Sequence, residues 1–397
     1  MTNSETKNFS QNVSSSYHLE DRNKNVPKLR FKGYNDEWKK VKIGEIYKER
    51  SERGNTNAEL LSVTMNDGVK RRIDIEGKDI SSEDKSNYKS VYIGDMVYNS
   101  MRMWQGANGI SNYDGIVSPA YTVMFPRIEL CNNFIGYLFK YEPLIFLFRR
   151  YSQGLTSDTW NLKYPQIKQL SILIPSLPEQ EKIASFLTLI DKKIEKQKEL
   201  VELLKKYKRG LLSQIFSQKL RFKDDNGNYY PNWEEKRLEE ILKIKHGKSQ
   251  KEIECTNGKY PILATSGKIG KTNAYLWDKP CVLIGRKGTI DKPQYMDTPF
   301  WTVDTLFYSE VFKENNAKYL YYLFYTINWK KYDESTGVPS LSAKSIERIK
   351  VTLSIDYSEQ LIISKILSTF DNKIQQEKCI LNYLQTYKKG LLQQMFI

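Results

Sequence analysis

Asn99, Arg102 and Gln105 sit together in VYNSMRMWQGANG (97–109), directly after a run that alternates like a strand. An Arg fork matches the edge of a guanine, and Asn or Gln matches that of an adenine. Trp104 lies among them, and the triplet Lys70, Arg71 and Arg72 is placed to grip phosphates. In the second half of the chain GRKGT (285–289) sets Arg286 and Lys287 between glycines, with Thr289 beside them. ATSGKIGKT (264–272) adds Lys268 and Lys271. That stretch lacks the G-x-x-x-x-G-K-[ST] spacing of a phosphate-binding loop, so it does not read as a nucleotide site. For any single one of these residues a solvated loop explains the composition as well. What they suggest jointly is a surface that reads a polyanion.

The charge balance agrees. The 397 residues carry 62 Lys and Arg against 47 Asp and Glu, a net +15, and the excess is spread over every part beyond the first residues. Spread charge on folded domains fits nucleic acid better than it fits a membrane, which a single basic amphipathic helix serves. Four cysteines (Cys131, Cys255, Cys281, Cys379) lie far apart, and His18 and His246 are the only histidines, so no metal site is expected. No dinucleotide fingerprint, no Asn/Asp-Pro-Pro-Tyr/Phe tetrapeptide, no carboxylate cluster and no His-based triad is found, so no catalytic residue is assigned. Neither a signal peptide nor a long apolar span is present, and a cytoplasmic protein with free thiols is the expectation.

These segments must be positioned by something, and a repeat supplies it. Residues 179–216 and 359–396 align without a gap at an offset of 180, with 16 of 38 positions identical. Both copies read as helices. The apolar seam runs through Ile183, Leu187, Ile190, Ile194, Val201 and Leu204 in the first, and through Ile363, Leu367, Phe370, Ile374, Leu381 and Leu384 in the second. At 1.5 Å per residue each makes a rod of roughly 57 Å. One polar residue interrupts each seam at matching places, Gln197 and Glu377, and in an antiparallel pair the two meet at the centre and fix register. Leu200, Leu203, Leu211, Leu212, Ile215 and Phe216 widen the apolar face, as do Ile380, Tyr383, Leu391, Leu392, Met395 and Phe396. That wider face is expected to be covered by partners.

A second duplication, Leu-Arg-Phe-Lys at 29–32 and 220–223 followed by Trp38 and Trp233, opens two globular segments. The plan is a disordered leader (1–27), a first domain (28–178), a central helix (179–217), a second domain (218–357) and a C-terminal helix (358–397). Strands are expected at 90–101, 116–125, 281–286 and 301–309, and aromatic helices at 133–151 and 316–332, whose rings belong to the core. Gly-bearing loops follow at 154–162 and 336–344, then a last strand at 169–178 and 348–356. The class is α+β: two similar domains joined by two long antiparallel coiled-coil helices, in a pseudo-two-fold arrangement.

The Pro-x-Leu-Arg-Phe…Trp domain opening, the Leu-Pro-Glu-Gln-Glu-Lys-Ile-Ala helix start (177–184), the Tyr-Lys-Arg/Lys-Gly-Leu-Leu helix ends (207–212 and 387–392), and YNSMRMWQGA (98–107) with IVSPAYTV (116–123) resemble the specificity (S) subunit of Type I restriction–modification systems. The resemblance covers roughly 28–397. The second helix departs at its opening, Tyr357-Ser358-Glu359 in place of Leu177-Pro178-Glu179. It implies a non-catalytic subunit whose two target-recognition domains each read half of a bipartite site in double-stranded DNA. The helical rod then sets the spacer and docks two modification (methyltransferase) subunits. No cofactor is implied for this chain. S-adenosylmethionine belongs to the modification subunits, and ATP and Mg belong to two restriction (endonuclease and translocase) subunits where these are present.

Overall fold

The computed structural model describes residues 25–397 except 66 and 80, together with a two-residue strand, Val13–Ser14. The strand pairs antiparallel with Arg30–Phe31, where the sequence led us to expect disorder. The rest of that leader, up to residue 24, lies outside the described residues.

The chain divides into two compact units, Met1–Lys196 with Ile380–Ile397, and Gln197–Cys379. The long helices, Leu177–Phe216 and Tyr357–Met395, contribute to both. In the first unit an antiparallel sheet runs in the order Tyr47–Glu49, Tyr121–Pro126, Met96–Asn99, Asn108–Ile110. The second unit repeats it with Leu242–Lys245, Leu306–Val311, Cys281–Gly285 and Gln294–Met296. Each unit also pairs an entering strand with the one that precedes a long helix, Lys39–Lys42 with Ser171–Ile174 and Glu234–Arg237 with Lys350–Leu353.

Five expected elements are divided, among them the run at 116–125, which becomes Gly115–Val117 and Tyr121–Pro126, and the run at 301–309, which becomes Trp301–Thr302 and Leu306–Val311. The run at 90–101 becomes Lys89–Val91 and Met96–Asn99, because Gly94 turns the chain with φ 92° between them. The aromatic helix of the first unit becomes Asn132–Leu138 and Glu142–Tyr151, since Pro143 opens the second piece and cannot continue the first. The aromatic helix of the second unit ends at Phe324 and resumes as a short 3-10 turn, Trp329–Tyr332.

Each core joins sheet, aromatic helix and one end of each long helix. In the first unit Ile183, Ala184, Leu187, Leu391, Leu392, Met395 and Phe396 pack with Trp38, Phe134 and Phe139. In the second, Leu211, Leu212, Ile215, Phe216, Ile363 and Leu367 pack with Trp233, Tyr319 and Trp329. Six of the residues expected to wait for partners on the terminal helix turns are therefore already covered or partly covered by their own unit's core, as are Leu211 and Leu212.

The helix starts explain why Glu-Gln recurs at an offset of 180. Gln180 accepts from Cys131 N (3.1 Å) and Gln360 from Asn316 N (2.7 Å), so each satisfies an orphan amide where an aromatic helix begins. The glutamates differ. Glu179 takes Arg30 through two bonds of 2.7 Å, whereas Glu359 accepts from the Trp233 indole at 2.9 Å. Arg221, at the position of Arg30, donates to the carbonyls of Tyr230 and Pro231 instead.

Between the helices the partner numbers run in opposite directions. Within the second unit Gln197 meets Glu377 and Lys208 meets Asp371, so the pair is antiparallel there. Ile194, Val201, Ile374 and Leu384 are buried, and Ile190, Leu204, Phe370 and Leu381 half-buried.

Candidate nucleic-acid interface

In the first unit the segment after Met96–Asn99 folds into a 3-10 turn, Met103–Gln105, closed by Gly106. Its polar side chains are partly committed. Asn99 Oδ1 accepts from Met101 N (3.0 Å), Trp104 donates to the Met101 carbonyl (3.0 Å), and Arg102 reaches Gln105 Oε1 (3.3 Å). Arg102 is exposed and Asn99, Trp104 and Gln105 half-buried. Arg102 is thus the freest group of the four.

Two features hold this turn that the sequence did not single out. Trp104 meets Trp160 edge to face at 5.2 Å, and Arg149 lies over Trp160. Leu162 N also donates to the Ser100 carbonyl, so the loop at 154–162 is tied to the turn at 102–106, with Leu155 fully exposed at its tip. From below, Lys140 donates to the carbonyls of Gly106 (2.6 Å) and Met65 (2.9 Å). Burial, then the nearby Lys388, brings its pKa down to about 8.

Met65 lies at the turn of a hairpin, Leu61–Thr64 with Gly68–Arg71, which carries the basic triplet. A side chain at Gly109 would fall 2.8 Å from Gly68 Cα, so these two glycines let the hairpin lie against the sheet. Lys70 is half-buried; exposed Arg71 pairs with Asp74 at 2.9 Å and lies over Tyr113. Arg72 is spent on the loop that follows, donating to the carbonyls of Ile75, Gly77 and Lys78. It organises backbone there, a use its place in a basic triplet does not reveal.

The second unit builds the same juxtaposition from different residues. Gly288 N donates to the Pro339 carbonyl and Leu341 N to that of Arg286, both at 2.8 Å, so the turn at 285–289 is bound to the loop at 336–341. Val338 is exposed on that loop, in the place Leu155 holds in the first unit. Arg286 and Lys287 are exposed, Arg286 reaching the Asp304 carbonyl at 3.3 Å, while Thr289 is half-buried. ATSGKIGKT is a hairpin turn leading into the strand Gly267–Thr272, with Lys268 and Lys271 exposed. Gln294 Nε2 donates to the Ala264 carbonyl and fastens this hairpin to the main sheet. In each unit, then, a cation-bearing turn, a glycine-bearing loop with an apolar tip and a basic hairpin converge. Among the described residues no group of three or more His, Cys, Asp and Glu is arranged to hold a metal, and no helix is long and apolar enough to cross a membrane.

A second exposed surface lies on the long helices. Leu200, Leu203 and Tyr207 are 38, 61 and 64% exposed in the second unit, and their repeats Ile380, Tyr383 and Tyr387 are 44, 67 and 45% exposed in the first. The spacing of three and four places each trio along one helix face.

The chain is similar to known proteins. The family model for the Type I restriction modification DNA specificity domain matches residues 35–205 and 230–386, well over half of the chain. The Type I restriction enzyme MjaIX specificity subunit of Methanocaldococcus jannaschii is 31% identical over 150 residues, which cover 35% of this chain and 34% of that protein. The MjaVIII specificity subunit of the same organism is 29% identical over 213 residues, 46% of each chain. The matched stretches thus span a third to a half of these curated relatives' length. Among solved structures, the S subunit of a Type I restriction–modification system from M. genitalium superposes with a TM-score of 0.61 at 20% identity, covering 94% of this chain and 99% of that one. A chain from a structure on complex assembly and conformational transition of the type I R-M system gives 0.57 at 16% identity, covering 90% and 97%. At such identities the likeness is one of fold. With both of its halves matched by the family model, the chain belongs to the Type I restriction modification DNA specificity family.

Proposed function

We propose that the chain is the non-catalytic, sequence-specific DNA-binding subunit of a Type I restriction–modification complex in the cytoplasm. The target-recognition domains at 28–178 and 218–357 each read one half of a bipartite, asymmetric site, and the long helices set the spacer. The observation that carries this reading is the convergence of turn, loop and hairpin in both units, built from different side chains on one scaffold. Similar scaffolds with different reading residues suit an asymmetric two-part site. S-adenosylmethionine, ATP and Mg then serve partner subunits.

The exposed trios Leu200, Leu203, Tyr207 and Ile380, Tyr383, Tyr387 support docking of two modification subunits. They are repeats of one another, so two copies of one partner can use them. An apolar face left open on a helix is also unlike the covered seam beside it.

The test is methylation mapping of genomic DNA from cells expressing the complex, first with the natural chain and then with 243–345 replaced by the equivalent of another family member. One half of the methylated motif should change and the other persist. A change in both halves, or a motif without two parts, would overturn the reading.

A further inference from the structure

Each recognition domain is fastened to both long helices by the same three side chains. In the first unit Asp191, on the central helix, accepts from Tyr137 OH through Oδ2 (2.8 Å) and from Lys388 Nζ through Oδ1 (2.6 Å). Tyr137 belongs to the aromatic helix and Lys388 to the C-terminal helix. In the second unit Asp371 accepts from Tyr322 OH through Oδ2 (2.7 Å) and from Lys208 Nζ through Oδ1 (2.6 Å). The lysines complete each triangle by lying over the tyrosine rings, at 5.2 and 5.0 Å. Asp191 with Asp371 and Lys208 with Lys388 are repeats at the offset of 180, while the helices exchange roles between the units.

We propose that these two Tyr–Asp–Lys junctions are positioning devices that fix the angle of each recognition domain on its helices, and so the spacer length the protein accepts. Apolar burial is non-directional, and a domain held by its core alone can rock on a helix with little loss of buried area. A carboxylate shared between a phenol and an ammonium closes only in a narrow range of geometry. The aspartates and lysines keep some contact with solvent, so the pairs add little to stability and their main effect is direction. Burial, the leading influence on both phenols, raises their pKa well above the ordinary range and keeps them donors.

The link to the spacer is angular. Adding one base pair moves a half-site by about 3.4 Å and turns it by about 36° around the duplex. A domain locked on its helices cannot follow that rotation.

The inference rests on the bipartite reading proposed above, and the experiment separates the two. The full chain, alone and co-purified with its partners, selects from a randomised double-stranded DNA library, and sequencing gives the half-sites and the distance between them. Tyr137→Phe and Tyr322→Phe keep the rings in place and remove the bonds to Asp191 and Asp371, the first together with the 3.2 Å bond between Tyr137 OH and Thr188 Oγ1. Each should raise recovery of sites one base pair longer or shorter, relative to the preferred spacer, by about tenfold, the loss of one charge-assisted hydrogen bond. Lys388→Met should act likewise and Lys388→Arg should keep the narrow profile. Variant profiles that superpose on that of the natural chain, or equal loss at every spacer, overturn the proposal alone. Failure of the natural chain to select two half-sites at a fixed distance removes the bipartite reading with it.

Discussion

Replacing Gln197 by leucine tests whether the polar break in the helix seam is a register device. Gln197 Nε2 donates to the Glu377 carboxylate at 2.6 Å and to its backbone carbonyl at 3.0 Å. Glu377 is buried, and Lys373 reaches its other oxygen from one turn away at 2.6 Å. Removing the carboxylate bond costs about 1.5–3 kcal/mol and the carbonyl bond about 0.5–1.5 kcal/mol. A half-buried leucine returns about 1 kcal/mol. The net for Gln197→Leu is then roughly 1–3.5 kcal/mol of destabilisation. With Glu377→Leu added, the carboxylate oxygen that lost Gln197 disappears and the seam becomes apolar. The double variant should therefore match or exceed the natural chain in stability, by up to about 4 kcal/mol, while losing the polar match that holds one register. Lys373 and then Gln197 hold the Glu377 carboxyl below its ordinary value of 4.5. A lowered folded-state pKa gives stability that is complete above the ordinary value and fades as pH falls through the folded one, so the Gln197→Leu penalty should shrink in acid. Denaturant unfolding of the full chain, with light scattering to detect mispaired assemblies, provides the readout. A Gln197→Leu chain as stable as the natural one, or a double variant weaker than Gln197→Leu, would refute the reasoning.

Glu179→Gln removes the counter-charge of Arg30 but keeps one oxygen acceptor, and Arg30 still donates to the Asp36 carbonyl, so it should cost about 1.5–3 kcal/mol, whereas Glu359→Gln keeps a neutral acceptor for Trp233 and should cost under about 1.5 kcal/mol; calorimetry of both variants tests this. Lys140, flanked by Lys388 and Asp67, has its pKa lowered from 10.5 to about 8. Between those values the unfolded chain binds the additional proton, so stability should rise with pH across that window, and the rise should be smaller in Lys140→Met. Arg102→Ala and Arg286→Ala should each weaken DNA binding, by about 1–3 kcal/mol at one position for a base contact, or uniformly with a lower salt slope for a phosphate contact; titrations at several salt concentrations tell these apart. Cys379 is exposed beside Ile380, while Cys281 is buried and its thiol pushed up to about 12. Maleimide should label Cys379 first, and bound modification subunits should slow that labelling.

Much of the scaffold was legible in the sequence because repetition announces it. The seam residues, the meeting of Gln197 with Glu377 and the matched Trp38 and Trp233 follow from an offset of 180 or from a shared opening. The reach of the apolar face did not. Leu391 and Ile215 look like surplus stripe from periodicity alone, and only the packed structure shows their own domains against them. The candidate DNA-contact residues were legible as types but not as states. Arg72 and Arg286 look equally free in the sequence, yet Arg72 is engaged by three carbonyls and Arg286 is exposed. Lys140 and Trp160 were missed because each joins elements distant along the chain, for which spacing carries no signal; the aspartates and lysines of the Tyr–Asp–Lys junctions recur at the offset of 180, but their pairing with tyrosines of the globular segments does not show in the repeat.

The interlacing of the first unit has a consequence for biosynthesis. Phe396 packs against Trp38 and Phe134, with centroids 6.3 and 5.3 Å away, and Leu29 N donates to the Gln394 carbonyl. The second unit, Gln197–Cys379, is one continuous stretch, so it can close as soon as it leaves the ribosome. The first unit is made earlier yet closes later, because residues 380–397 must be synthesised before its core is sealed. Until then Trp38 and Phe134 stand open. Completion of the core translated first therefore waits on residues 380–397.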